Sequence, residues 1–384
     1  MKMLDLFSGF CGFHLGFEFA DWEFDWIGHS DTDKYANSVY EYNFKHKKKL
    51  NVENLGNVRT LQPENLPKDI TILCGGFPCQ SFSIAGKRDK NDPRGTLFFE
   101  IIRILRYFRE IGKPIPYILL ENVKGLLSHD DGHTFATILR LLSELDYSIE
   151  SQILNTRIVL PQNRQRIFIC GIAKDRLGEK CRGEIFPLGE DGDSFNGEGK
   201  VDSECSSTLT ARYWKMGDMD TYIDESNVKG ADYRNDEGLR IRPNGLSPTL
   251  ATSRSGENHL SRMIGLVVEE ELNESQSGKV YNTNGIAPTL NSEGGGMGAK
   301  TGLYKTKTSI RRLPPNETER LQGFSWKNSD GIWKDGWTKK GIMDGKIVDI
   351  SDTQRYRQMG NAVSVPIIQM VAEQILKFHK ENNG

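Results

Sequence analysis

Six short apolar runs spaced along the first ~175 residues constrain this fold more than any other feature. They are Met3–Phe7, Phe24–His29, Ile70–Cys74, Tyr117–Leu120, Tyr147–Leu154 and Arg166–Ile172. Helical spacings lie between some of them. Thr96–Ile111 carries apolar residues at 98, 101, 102, 105 and 108 and is stopped by Gly112 and Pro114, and His133–Leu145 repeats the period. Strands alternating with helices predict a parallel sheet with crossover helices, an α/β fold.

From about Asp175 to Lys307 the texture changes. Gly, Asp, Asn, Ser and Thr rise and short β-like pieces sit between turns, which predicts a smaller β-rich domain over 176–307. The α/β texture returns after Arg311, with a short helix over Pro315–Gln322 and an amphipathic one over Val365–Phe378. The larger α/β domain is therefore expected from 1–175 plus 308–384. Within the middle segment, Gly238 to Leu250 aligns without a gap on Gly278 to Leu290. Each copy holds an Asn-Gly pair (244–245, 284–285), a hairpin signal, and ends in Pro-Thr-Leu. A third Thr-Leu pair stands at 208–209.

A net charge of −2 with 27% charged residues describes a soluble chain and argues mildly against a nucleic-acid binder, although clustering of Lys and Arg matters more than their sum. No run reaches the length of a membrane span and no secretory signal opens the chain. The six cysteines lack CxxC spacing, which favours reduced thiols in a cytoplasm and no metal site.

Gly75-Gly76-Phe77-Pro78-Cys79-Gln80-Ser81 follows the third apolar run. A cysteine in a stiff turn at a strand end is presented to the cleft where open α/β sheets bind ligands, so Cys79 is a candidate nucleophile. Phe7-Ser8-Gly9 and Gly12 form a glycine turn after the first strand, and Asp31 follows the second, where a carboxylate meets ribose hydroxyls. Together they predict a nucleoside cofactor. Glu121 follows the fourth run, and Arg164 and Arg166 precede the sixth in i,i+2 register. A structural ion pair between Glu121 and one of these arginines is the competing reading. Cys, Glu and Arg beside a nucleoside cofactor suit attack on carbon-6 of cytosine, followed by methyl transfer to carbon-5 of a base flipped out of the duplex.

From Met3 to about Leu376 the chain resembles the cytosine-C5 DNA methyltransferases. Asp5-Leu-Phe-Ser-Gly-x-x-Gly12 resembles the methyl-donor motif, Gly76-Phe-Pro-Cys-Gln-Ser81 the nucleophile motif, Glu121-Asn-Val123 the cytosine-binding motif and Gln162–Arg166 the arginine motif. Arg311 to Phe324 resembles the segment supporting the recognition domain, and Gln358 to Pro366 the last motif. The resemblance implies a Rossmann-like S-adenosylmethionine-dependent methyltransferase domain with a smaller β-rich target-recognition domain. Phe7, Ser8, Gly9, Gly12, Asp31, Asn57, Pro78, Leu97 and Asn361 would bind S-adenosyl-L-methionine, with Cys79, Glu121, Arg164 and Arg166 catalytic. Asp31-Thr32 and Asn57 depart from the family's frequent residues at two cofactor contacts.

The segment Gly285-Ile-Ala-Pro-Thr-Leu290 with Gly294-Gly-Gly296 is similar to the recognition segment of GCGC-type bacterial enzymes. It implies Gln276 filling the hole left by the cytosine, Lys279 at a base edge or phosphate, and Gln80, Thr289, Gly294 and Gly295 against DNA. The earlier Thr-Leu copies fit either support strands or additional recognition modules, as in multispecific phage members. The resemblance implies double-stranded DNA as substrate, a bacterial or phage setting and a cognate restriction endonuclease as functional partner. A tRNA cytosine-C5 methyltransferase and a non-catalytic DNA-binding relative are the alternatives.

Overall fold

The computed structural model describes residues 1–47, 50–78, 97–177, 185–188, 231–234, 238–241, 268–271, 279–282, 287–290, 303–305, 310–311, 313–327 and 333–383. At its centre is a seven-stranded sheet. Its strands are β1 (Lys2–Leu6), β2 (Trp26–Ser30), β3 (Val52–Asn54), β4 (Ile72–Gly76), β5 (Tyr117–Val123), β6 (Tyr147–Asn155) and β7 (Gln165–Ala173), in the order β3-β2-β1-β4-β5-β7-β6. From β1 the chain first builds outward through β2 and β3, then returns to lay β4 on the other side. The crevice between the carboxyl ends of β1 and β4 is therefore the topological switch point, where doubly wound sheets bind ligands.

The expectation of a wholly parallel sheet is corrected at one edge. β7 runs antiparallel to both β5 and β6. Only residues 156–164 join β6 to β7, too few for the crossover that a parallel pair demands. Strand limits also shift. β5 continues through Glu121 and Asn122, which pair with Phe168 and Ile167, so the motif read as following that strand lies inside it.

Helices cover both faces of the sheet, because alternate strand residues point to opposite sides. Met3, Cys74 and Leu119 face a core shared with α1 (Gly12–Phe19), α2 (Lys34–Tyr40) and α7 (Val365–Asn383), whereas Leu4, Leu73 and Leu120 face α3 (Leu97–Glu110) and α4 (His133–Glu144). On α3, Phe98, Ile101, Ile102, Leu105 and Phe108 are buried as the spacing requires, and Gly112, at φ +69°, follows its end. α1 lies so close to α7 that a Cβ on Gly16 would fall 2.5 Å from Ile368.

In the middle segment, β8 (Ala231–Arg234) pairs antiparallel with β9 (Gly238–Ile241). A separate four-stranded sheet holds β10 (Val268–Glu271), β11 (Lys279–Asn282), β12 (Leu303–Lys305) and β13 (Ile310–Arg311). In each copy of the repeat the strand opening it (β9, β11) pairs with the strand before it. The Asn-Gly turns and the Thr-Leu pairs at 208–209 and 249–250 lie outside the described residues.

After α5 (Pro315–Gln322), matched in its limits by the sequence reading, come two hairpins that the reading missed. They pair β14 (Trp326–Lys327) with β15 (Trp333–Lys334) and β16 (Lys340–Met343) with β17 (Lys346–Asp349). The second turns at Asp344-Gly345, both at positive φ, a two-residue hairpin signal that was legible. α6 (Asp352–Asn361) then leads into α7, which runs five residues past the expected Phe378.

Candidate active site

Three loops meet at the carboxyl ends of β1, β2 and β3. After Leu6 the backbone enters the left-handed region at Phe7, Gly9 and Cys11 (φ +55°, +53° and +112°) and reaches α1. The Gly9 N–H donates to Asp31 Oδ2 at 2.8 Å, and the Asp33 N–H donates to Asp31 Oδ1 at 2.8 Å. Asp33 itself caps α2, accepting from Tyr35 and Ala36. Ser30 Oγ donates to the Gly56 carbonyl at 2.7 Å, so the third loop is tied to the second. Burial pushes the Asp31 carboxyl above the ordinary carboxylate range, while the Asp33 and Gly9 N–H groups pull it back.

A Cβ built on Gly9 or Gly56 would meet nothing within 4 Å, so both face open space. Phe7, Leu55 and Leu97 edge the apolar core beside this space. Ser8 is buried, Asn57 is half-buried with its amide oxygen accepting from the Arg59 N–H at 3.1 Å, and Pro78 is exposed. A carboxylate, backbone groups and an apolar wall around an open cradle are the donor set that a nucleoside needs.

Next to this cradle, β4 and β5 carry the second group. The Glu121 carboxylate meets Arg166 Nε at 3.1 Å. Its Oε2 lies so near the Gly76 backbone that a Cβ there would sit 3.2 Å away. Burial pushes the Glu121 carboxyl up, and Arg166 and Arg164 oppose it. Asn122 Nδ2 donates to the Phe77 carbonyl at 2.8 Å, joining the end of β5 to the turn that leads to Cys79. Cys79 and Gln80 lie outside the described residues, as do Gln276, Gly294 and Gly295.

The two arginines part company. Arg164 Nη2 donates to the carbonyls of Gly360 (3.3 Å) and Ala362 (2.7 Å), which flank the exposed Asn361. Its Nε and Nη1 are buried with no partner among the described residues. Burial and the Arg166 charge lower its pKa to about 9, still cationic at neutral pH. The middle segment joins here. Ala287 and Gln162 form a parallel bridge, and Thr289 Oγ1 donates to the Asn163 carbonyl at 2.6 Å. Lys279 opens β11. Asn122 and the internal bond of Thr289 were missed by sequence reasoning. Asn122 stood within a quoted motif, but no pattern announces the partner of a side-chain amide.

A sheet of this order, with antiparallel β7 inserted next to its edge and an open cradle at the carboxyl ends of β1, β2 and β3, defines a Rossmann-like methyltransferase. The family model for C-5 cytosine-specific DNA methylase matches residues 1–377, and the chain belongs to that family. It is 30% identical over 377 residues to the type II methyltransferase M.HhaI of Haemophilus parahaemolyticus, covering 98% of this chain and 94% of that one. The type II methyltransferase M1.ScrFI of Lactococcus lactis subsp. cremoris is 31% identical over 98% of this chain and 78% of its own. The orphan methyltransferase M.SPRI of Bacillus phage SPR is 30% identical over 85% and 72%. In fold, the chain is similar to the S. pombe Dnmt2 methyltransferase (TM-score 0.57, 17% identity, full coverage of both chains). The protein is thus a DNA (cytosine-5-)-methyltransferase, with DNA as its substrate and S-adenosyl-L-methionine as its methyl donor. Among the described residues no helix is long and apolar enough to cross a membrane.

Proposed function

We propose that Cys79 is the nucleophile, Glu121 the acid, and Arg164 and Arg166 the cations of a single cytosine pocket at the ends of β4, β5 and β7. The observation that carries this reading is Glu121 itself. It is a buried carboxylate pushed toward its neutral form, held at 3.1 Å by Arg166 and laid against Gly76 in the strand that leads to Cys79. Carbon-5 of cytosine is not nucleophilic in the intact ring. The Cys79 thiolate adds to carbon-6 while Glu121 gives a proton to ring nitrogen-3, which turns the ring into an enamine. S-adenosyl-L-methionine supplies, when bound, the sulfonium methyl that carbon-5 accepts. Loss of the carbon-5 proton to water then expels the thiolate, and return of the nitrogen-3 proton to Glu121 restores the ring and the acid. Arg166 holds the Glu121 carboxyl in place and moderates its proton affinity.

Phe7, Ser8, Gly9, Gly12, Asp31, Asn57, Pro78, Leu97 and Asn361 form the donor site in this reading. The bond from Gly9 to Asp31 and the open face of Gly9 and Gly56 support it. Residues 176–307 act as the recognition domain, reading double-stranded DNA through Gln276, Lys279, Thr289, Gly294 and Gly295, with Gln80 beside the nucleophile. The type II names among the relatives support a cytoplasmic restriction-modification setting with a cognate endonuclease.

The test is expression in a host lacking cytosine methylation, followed by bisulfite sequencing. One methylated motif is expected, and it should vanish with Cys79→Ala. Methylation retained in that variant would remove Cys79 from its role, and two unrelated motifs would make the protein multispecific.

A further inference from the structure

Cys11 and Trp337 stand 326 positions apart and meet in the core, where the indole Nε1 donates to Cys11 Sγ at 3.2 Å. Both are buried. Cys11 lies at φ +112°, a conformation that L side chains rarely adopt and that glycine adopts freely. It closes the turn Phe7–Gly12, its N–H donating to the Ser8 carbonyl at 3.1 Å and its carbonyl accepting from Leu15 at 2.9 Å as α1 begins. Glycine would serve the backbone better. What cysteine adds is an acceptor sulfur for a buried indole N–H, which needs a partner.

Trp337 is itself fixed from behind. Its N–H and that of Gly336 donate to Glu319 Oε2 (3.0 and 2.8 Å), and its carbonyl accepts from Asn43 Nδ2 at 3.0 Å. Glu319, fully buried on α5, also accepts from the Thr338 N–H at 3.1 Å and from Arg355 at 2.9 Å. A rigid chain of contacts thus runs from α5 through Trp337 to the strained end of the turn. Two residues before Cys11 the same turn delivers the Gly9 N–H to Asp31.

We propose that Trp337, acting through Cys11, is a positioning residue for the methyl donor: it holds the Phe7–Gly12 turn in the shape that presents the Gly9–Asp31 pair. This rests on the donor-site reading given above. The turn alone has no need of its left-handed Cys11, and the brace supplies what holds it there.

The test measures dissociation constants of S-adenosylhomocysteine and of duplex DNA by calorimetry for the full chain. Trp337→Phe keeps an aromatic ring and removes the donor; Cys11→Gly relaxes the backbone and removes the acceptor. Each is expected to weaken S-adenosylhomocysteine about fivefold to tenfold, the loss of one buried hydrogen bond, with DNA affinity unchanged. The double variant should be no weaker than the weaker single, and Cys11→Ser, which restores an acceptor, should bind within about threefold of wild type. Wild-type affinity in Trp337→Phe and Cys11→Gly, alongside lost binding in Asp31→Ala, would overturn the brace alone. Wild-type affinity in Asp31→Ala would overturn the donor-site reading and the brace with it.

Discussion

Asn122 gives one N–H of its side-chain amide to the Phe77 carbonyl at 2.8 Å and takes the Val123 N–H on its amide oxygen at 2.8 Å. Both ends of the amide are therefore spent on backbone. One bond fixes where β5 stops and the other fixes where the chain leaves β4 for Pro78 and Cys79. The proposed acid on β5 and the proposed nucleophile after β4 are set relative to each other by this one buried side chain.

Asn122→Ala should therefore cost more in rate than in DNA affinity. It leaves the Phe77 carbonyl and Val123 N–H without these partners, worth about 1–3 kcal/mol in stability when such groups stay buried. Urea denaturation measures the stability, and single-turnover methylation against DNA binding separates the two functional effects. An equal loss in both would make Asn122 a scaffold residue only.

Glu121→Gln keeps the shape beside Gly76 but cannot donate a carboxylic proton. Methylation should fall at least about 100-fold, the usual scale for general acid catalysis. The raised carboxyl also has a linkage sign. A folded pKa above the unfolded value gives stability that is complete below the unfolded pKa and lost as pH rises through the folded one. The variant should lack that loss, which parallel urea titrations of both proteins on the alkaline side of the carboxylate range will detect.

His29 predicts the opposite limb. Its ring is buried and stacked on Tyr40 at 4.0 Å, and burial, with the Lys45 charge, lowers its pKa to about 4 from 6.5. A depressed folded pKa means stability that is complete above pH 6.5 and lost as pH falls through 4. Its size is at most about 3 kcal/mol. His29→Phe keeps a ring against Tyr40 and cannot titrate, so its unfolding midpoint should vary less with pH across that window. An unchanged slope would assign the acid sensitivity to other groups.

Gly16→Ala places a methyl 2.5 Å from Ile368 and 3.1 Å from the Val365 carbonyl. Overpacking of this kind costs about 1–3 kcal/mol. Ile368→Gly removes both the Cβ and the Cγ2 that this methyl would meet, so the double variant should lose less stability than the two single losses added together, a coupling that a double-mutant cycle reads directly. Additive losses would mean that α1 simply moves away from α7.

Much of the fold was legible because its signals are local. Buried strands such as β4 and helices such as α3 declare themselves by runs and periods of apolar residues, and α5 kept its expected limits. The antiparallel β6–β7 pair was legible too, from the shortness of the loop at 156–164, but a parallel texture in the earlier strands concealed it. The hairpin at Asp344-Gly345 was overlooked although its turn residues stood in the sequence. No local signal existed for the Thr289 hydroxyl on the Asn163 carbonyl or for Trp337 on Cys11, since each joins residues more than a hundred positions apart.

The sequence by itself determined the layered sheet, the order of its motifs and the family, because strand and helix periods and short motifs are written in consecutive residues. The tertiary structure alone decided which arginine meets Glu121. Arg164 and Arg166 share a type, a motif and an i,i+2 spacing, yet Arg166 takes the carboxylate and Arg164 reaches the carbonyls around Asn361. The reason is physical. A guanidinium goes to whichever acceptors the closed chain brings within about 3 Å, and that distance exists only after β5, β7 and the end of α6 have packed together.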